Sequence, residues 1–186
     1  KDQSVVPFDV VLLYPKTGLD VDGHTVAPPH SSLAIAAPVY RAGYRVKIID
    51  MRRDYQWRDT LRLSVSRDTI CVGVTTMTGT QIYFALLMAG EARRLTEKWG
   101  TPIVWGGSHP SILPEQTLQH ELVDIVAIGE GDESFPELVN ALAKKLPLNS
   151  IKGITFKDGN QIVKTERRPL IDVNKLLPTP WYLLYE

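Results

Sequence analysis

Short apolar runs alternate along the chain with segments whose apolar residues recur at helical spacing. The runs have the length of buried strands and are bounded by proline, glycine or polar residues; they cover residues 9–14, 44–50, 70–75, 102–105 and 123–128. The segments between them carry helix formers with start and stop signals; they cover residues 31–42, 55–67, 81–99, 114–120 and 132–145. This alternation predicts a parallel sheet with helices on both faces.

Five such strands predict a doubly wound α/β fold of the flavodoxin-like, Rossmann type, with strand order 2-1-3-4-5. Ligands of these sheets bind in the crevice outside the carboxyl ends of the strands. That rule selects four loops, at residues 15–30, 75–80, 106–114 and 129–132. The first is far longer than the roughly 2–6 residues usual for such a connection, and this excess indicates a function.

The pattern changes after residue 150. Residues 153–156 and 161–165 flank an Asp158-Gly159 pair, which predicts a β-hairpin. The proline-rich remainder is interpreted as a linker. We therefore predict an α/β ligand-binding domain in residues 1–150 and a hairpin with a linker in residues 151–186. Because the chain starts without Met and stops after an apolar cluster, we expect it to be a piece of a longer protein.

Charge and cysteine content narrow the function classes. Lys plus Arg and Asp plus Glu are 21 each, so no long-range field attracts nucleic acid or an anionic membrane. The Arg52-Arg53 pair is interpreted as a solvated turn. No apolar run reaches the roughly 20 residues that span a bilayer, and a cytoplasmic location is expected. A lone Cys71 excludes an internal disulfide or a multi-cysteine metal site, and is expected to be a small buried side chain.

Gly106 and Gly107 directly follow the fourth predicted strand. Glycine lets a backbone approach a bulky ligand where a Cβ would collide; the alternative is a tight turn that needs a positive φ. In the same loop, His109 either contacts a ligand or caps the loop.

Two further loops carry polar groups. Gly129 and Gly131 flank Glu130, whose carboxylate can accept hydrogen bonds in the crevice, whereas the next two acids complement a helix N-terminus. Thr75, Thr76 and Thr78 follow the third strand with Met77. Their hydroxyls can bind a ring nitrogen or a phosphate, or cap the next helix; Met77 can lie against a flat ligand or fill the core.

Together these loops resemble the N-terminal cobalamin-binding domain of the cobalamin-dependent radical SAM enzymes. The resemblance covers nearly the whole chain and is carried by residues 28–34 with 41–46, 72–75, 104–111 with 114–115, and 123–126 with 129–133. The spacing from Gly106-Gly107-Ser108-His109-Pro110 to Gly129-Glu130-Gly131 is its most specific element. The hairpin and residues 176–181 also resemble the segment that leads into the family's catalytic barrel.

The resemblance implies a base-off cobalamin, with its dimethylbenzimidazole tail beside the third and fourth strands and its corrin across the strand ends. It implies these cofactor contacts: Thr75, Thr76, Met77, Thr78, Gly106, Gly107, Ser108, His109, Pro110, Glu130 and Gly131. In the parent enzyme it implies transfer of a methyl group from S-adenosylmethionine by way of cobalt to an unactivated carbon or phosphorus. No catalytic residue is assigned to this chain.

Two features depart from that family. Its catalytic barrel holds an iron–sulfur cluster through three closely spaced cysteines, and Cys71 is the single cysteine here, so the chain is not expected to catalyse radical chemistry alone.

Asp22-Gly23-His24 also resembles the cobalt-ligating motif of methionine-synthase-type domains, which leaves His24 as an alternative axial ligand. A third reading is a flavin or nucleotide protein, because Thr76-x-Thr78-Gly79 partly resembles a flavodoxin phosphate loop.

Overall fold

A computed structural model describes residues 7–20, 27–159 and 161–184. Its strands are β1 (Val10–Tyr14), β2 (Val46–Asp50), β3 (Cys71–Thr75), β4 (Ile103–Gly106), β5 (Ile125–Ala127), β6 (Ile154–Asp158) and β7 (Gln161–Lys164). Its α-helices are α1 (His30–Arg41), α2 (Trp57–Ser64), α3 (Thr80–Thr96), α4 (Ser108–Ile112), α5 (Pro114–Leu118) and α6 (Gly131–Ala143). Short 3₁₀ turns cover Glu97–Trp99, Val173–Lys175 and Trp181–Leu184.

The seven strands form one sheet in the order β2-β1-β3-β4-β5-β6-β7. Strands β1 to β5 are parallel and have the predicted order 2-1-3-4-5, so the doubly wound fold is confirmed. The predicted hairpin, β6 and β7, continues the sheet by antiparallel pairing with β5. It joins the sheet because Ile154 and Phe156 bury their side chains in the same core as β5.

Apolar side chains of the strands alternate between two cores, one on each face of the sheet. Leu12 belongs to the core under α1 and α6, and its neighbour Leu13 to the core under α2 and α3. This alternation follows from the period of two in a strand. One difference from the sequence prediction lies after β4, where residues 108–112 form helix α4 rather than a loop.

The predicted linker packs against the domain. Leu183 is 2% exposed and belongs to the core under α1. The ring of Trp181 meets that of His30 edge-on at 5.6 Å, and Tyr182 packs on Tyr40 at 5.2 Å. The sequence did not predict this packing, because the prolines indicate a linker, whereas the buried contacts come from the aromatic and leucine side chains that follow Pro180.

The interpretation of Arg52 as part of a solvated turn is wrong. Its side chain is 6% exposed and forms an ion pair with Asp50 at 2.7 Å. The guanidinium also lies 4.2 Å from the centre of the Tyr14 ring and donates to the carbonyl of Ala27 at 2.9 Å. Arg52 therefore fixes the end of the long first loop, while its neighbour Arg53 is exposed as predicted.

No helix in the described part of the chain is long and apolar enough to cross a bilayer.

Candidate functional site

A cavity of about 230 Å³ opens at the carboxyl ends of the central strands, between the sheet and helices α1 and α6. We call it the strand-end cavity. Its deeper walls are apolar and its mouth is polar. The lining residues are Leu12, Leu13, Ser31, Ser32, Ala34, Ile35, Gly73, Val74, Thr75, Val104, Gly106, Gly107, Ala127, Gly129, Glu130, Gly131, Asp132 and Phe135.

Small residues on three neighbouring strands leave room for this cavity. Leu12 on β1 pairs with Gly73 on β3, and Gly106 on β4 pairs with Thr75, which lies two positions beyond Gly73 along β3. A Cβ added at Gly73 would lie 2.7 Å from Cδ2 of Leu12, and one added at Gly106 would have nothing closer than Ala127 at 3.9 Å. Gly73 therefore fixes where Leu12 lies, and Gly106 leaves open space.

Gly107 is a glycine for a different reason. Its φ is +98°, and an added Cβ would lie 2.5 Å from the carbonyl oxygen of Thr76. The loops are joined by backbone hydrogen bonds, from Thr76 N to Gly106 O at 2.9 Å and from His109 N to Thr76 O at 3.2 Å. The alternative of a tight turn with positive φ thus accounts for Gly107, although this residue also borders the cavity.

The structure brings together part of the predicted site. Five of the predicted residues line the strand-end cavity: Thr75, Gly106, Gly107, Glu130 and Gly131. Met77, Thr78 and Ser108 are exposed beside it, and Pro110 is buried. Thr76 is fully buried, and its hydroxyl has no hydrogen-bond partner among the described residues.

His109 faces away from the strand-end cavity. Its Nδ1 lies 3.3 Å from Oγ1 of Thr78, and its ring lines a separate groove of about 180 Å³ with Trp105 and His120. Trp105 belongs to the core under α2 and α3, so this groove lies on the other face of the sheet. The contact of His109 with the nucleotide tail or the corrin therefore stays a prediction, and His109 does not line the strand-end cavity.

Several lining residues were missed by sequence reasoning. Gly73 carries a sequence signal, because a glycine inside a buried strand indicates the close approach of another group. Leu12 and Phe135 look like ordinary core residues in the sequence. Ser31 and Ile35 reach the cavity because the first turns of α1 lie against α6, where a Cβ on Gly131 would come within 2.8 Å of Cγ2 of Ile35.

Glu130 is held by the C-terminal segment. Its Oε2 accepts a hydrogen bond from the backbone N–H of Ile171 at 2.8 Å. We call residues 167–171 the strap. Beneath it lies a second cavity of about 410 Å³, the strap cavity, which shares Gly129 and Glu130 with the strand-end cavity. Its other lining residues are Ser111, Ile112, Pro114, Ile128, Glu133, Gly153, Lys164, Thr165 and the strap.

Burial raises the pKa of two groups in the described part of the chain, Asp132 at the strand-end cavity and Cys71 at the start of β3. It raises the pKa of Asp132 above its usual 3.8, and the nearby Glu130 and Glu133 raise it further. Burial also raises the pKa of the Cys71 thiol to about 12, so this thiol stays protonated and is a poor nucleophile or metal ligand.

Within residues 7–20, 27–159 and 161–184, no group of three or more His, Cys, Asp or Glu side chains is placed to hold a metal ion. His24, the alternative cobalt ligand, lies outside the described residues.

An open, doubly wound sheet with an apolar cavity at its strand ends defines a small-molecule-binding α/β domain. Residues 21–139 match the model of the B12 binding domain family. The chain belongs to this family, and the predicted class of cofactor is confirmed.

Two curated relatives match the sequence. An uncharacterized methyltransferase of Pyrococcus horikoshii is 34% identical over 160 residues, which cover 85% of this chain and 34% of the relative. An anaerobic magnesium-protoporphyrin IX monomethyl ester cyclase of a Synechocystis species is 31% identical over 83 residues, covering 44% of this chain and 17% of the relative. The chain thus spans about a third or less of the length of these relatives.

Two solved structures share the fold. The radical S-adenosylmethionine methyltransferase TsrM of Kitasatospora setae, with cobalamin and a [4Fe-4S] cluster bound, superposes with a TM-score of 0.70 at 21% identity, covering 91% of this chain and 30% of TsrM. The cobalamin-dependent radical enzyme OxsB, with aqua-cobalamin bound, gives 0.68 at 16% identity, covering 89% and 23%. The fold resemblance to the cobalamin-binding domain of these enzymes is confirmed.

Proposed function

We propose that this chain holds cobalamin with the nucleotide base inside the strand-end cavity. The observation that carries the proposal is an apolar cavity of about 230 Å³ at the carboxyl ends of β1, β3, β4 and β5. An apolar cavity of about 150 Å³ accepts benzene, so this one has room for a bicyclic aromatic base but not for a corrin. The base would therefore be detached from cobalt, in the base-off form.

The residues present fit such a base. Leu12, Val104 and Phe135 supply apolar walls, and Gly106 leaves the entrance clear on the β4 side. At the mouth, Thr75 and Ser31 carry hydroxyls that can bond to a ring nitrogen or to the polar part of the nucleotide.

The predicted residues outside the strand-end cavity are proposed contacts of the corrin. Met77, Thr78 and Ser108 are exposed at the ends of β3 and β4, where a flat ring lying across the strand ends would reach them. Thr76 and Pro110 are buried in the same two loops and His109 is partly exposed there, and a contact of these three residues with the cofactor stays a prediction.

The chemistry that bound cobalamin supplies is the carriage of a methyl group. The chain's own residues bind and orient the cofactor and exclude water from the base. We propose that residues 151–186, whose hairpin extends the sheet of this binding domain, lead on to a radical SAM domain in the parent. The chain's relation to a curated methyltransferase supports this parent activity. Because Cys71 is the single cysteine and is buried, S-adenosylmethionine and the iron–sulfur cluster would be held elsewhere in the parent. We propose a cytoplasmic location for that parent.

A titration of the 186-residue chain with hydroxocobalamin tests the binding proposal, with FMN added in a separate series. We expect a stoichiometric complex with a base-off absorption spectrum. Binding of FMN without binding of hydroxocobalamin would contradict the proposal and favour the flavin reading. A His24→Ala variant with an unchanged spectrum would reject the axial-histidine alternative.

For the parent activity, iron and sulfide analysis of the anaerobically purified full-length protein is the corresponding test. We expect one [4Fe-4S] cluster, and its absence would contradict a radical SAM parent.

A further inference from the structure

The strap and helix α6 are fastened together by Arg168. Its guanidinium donates to Glu133 at 2.9 Å and to the carboxylate of Glu137. These two acids stand four residues apart, on the same face of α6. The Arg168 side chain is 16% exposed, and its Nε donates to the carbonyl of Lys152 at 3.4 Å. We call this arrangement the Arg168 clamp.

The clamp is close-packed. A Cβ added at Gly153 would lie 3.3 Å from Cβ of Arg168, so the loop before β6 presses against the strap. Three residues further on, Ile171 donates its N–H to Glu130, the residue before the first turn of α6. The strap is thus attached to both ends of the N-terminal half of α6.

That half of α6 also forms a wall of the strand-end cavity, through Gly131, Asp132 and Phe135. The strap itself walls the neighbouring cavity, and Glu130 belongs to both. One oxygen of the Glu130 carboxylate accepts from Ile171, and its other oxygen can accept from a ligand. The Arg168 clamp therefore sets the relative position of two ligand-facing walls.

We propose that Arg168 is a positioning residue for the cofactor. By holding the strap on α6, it joins the two cavities into one surface, in which the strap cavity receives the carboxamide-bearing edge of the corrin. Glu130 and the strap backbone supply acceptors for the amide N–H groups. The inference rests on the proposed binding of cobalamin.

The test compares Arg168→Met with a matched control, Arg93→Met. Arg93 forms an ion pair with Asp124 at 2.6 Å and is 22% exposed, but it lies away from both cavities. Both substitutions remove one partner of a partly buried ion pair, so both should lower the free energy of unfolding measured in urea. Only Arg168→Met should weaken hydroxocobalamin binding, by about tenfold or more, which corresponds to about 1.4 kcal/mol.

Two more variants separate positioning from folding. Arg168→Lys should recover part of the affinity, because an ammonium keeps the charge but lacks the fork that reaches two carboxylates. Glu137→Gln removes one arm of the clamp and should give an intermediate affinity, which keeps the test decisive if Arg168→Met fails to fold.

Wild-type affinity in Arg168→Met or Glu137→Gln would overturn the inference while leaving cobalamin binding intact. Equal weakening by Arg93→Met would also overturn it, because the effect would then be general destabilisation. A wild-type chain that binds no hydroxocobalamin would contradict both proposals.

Discussion

Gly73 offers the sharpest test of where the nucleotide base lies. In Gly73→Ala, the new methyl group would lie 2.7 Å from Cδ2 of Leu12 and 3.5 Å from Cζ of Phe135. Leu12 is 2% exposed and lines the strand-end cavity, so we expect its flexible end to move toward the cavity. The substitution therefore takes volume from the space assigned to the base.

The expected magnitude follows from overpacking. Adding a group to a filled apolar site costs about 1–3 kcal/mol, which corresponds to a Kd raised about five- to 150-fold. The free chain has no such cost, because Leu12 moves into empty space, and glycine within a strand is about 0.5–1 kcal/mol less stable than alanine. Gly73→Ala should thus weaken cobalamin binding without lowering the free energy of unfolding.

Absorption titrations with hydroxocobalamin, and urea unfolding of the free chain, measure the two quantities. Gly90→Ala is the matched control. Gly90 lies on α3, away from the cavity, and its added Cβ would make an ordinary contact at 3.7 Å with Leu122. Cobinamide, which lacks the base, should bind the wild type and Gly73→Ala equally weakly. Wild-type hydroxocobalamin affinity in Gly73→Ala would refute the assignment of the base to this cavity.

Three further predictions concern stability and reactivity. Arg52→Met should cost about 3–5 kcal/mol in urea unfolding, because it leaves the buried Asp50 carboxylate without its charged partner. Arg53→Met should change stability by less than about 0.5 kcal/mol; equal effects would contradict the buried ion pair. Because burial raises the pKa of Asp132, the folded chain binds that proton more tightly than the unfolded chain, and the wild type loses stability as pH rises from 3.8 through the raised pKa. Asp132→Asn should therefore gain stability relative to the wild type between acidic and neutral pH, and a constant difference would contradict the shift. Cys71, with its pKa near 12, should react with a disulfide reagent only after unfolding; rapid reaction of the folded chain would show that the thiol is accessible.

The sheet order was predictable because each buried strand is a short apolar run with clear bounds. The strand-end rule then selected loops that border the strand-end cavity, which Thr75, Gly106 and Glu130 line. Helix α4 was not predicted, because five residues are too few to show a helical period. Its presence matters for the site, since it turns His109 toward Thr78 and the α3 side.

The floor of the cavity and the strap could not be read from the sequence, for one physical reason. Phe135 and Leu12 have the sequence signature of core residues and are buried in the core; that they also line the cavity depends on how Leu12 and Phe135 pack over Gly73. Likewise, Arg168 in a polar segment carries no signal until Glu133 and Glu137 are known to share a helix face that meets it.

The polar groups and glycines of a loop can therefore be recognised in the sequence, whereas the space that a ligand fills depends on contacts between distant segments. Gly106 and Gly107 illustrate the difference within a single pair. Gly107 is required by the backbone of Thr76 and would be needed in an empty fold, whereas Gly106 faces the cavity, where a Cβ would meet nothing closer than 3.9 Å. If the base lies in the strand-end cavity, Gly106 is required to make room for the ligand, and Gly107 is required by the backbone conformation of the loop.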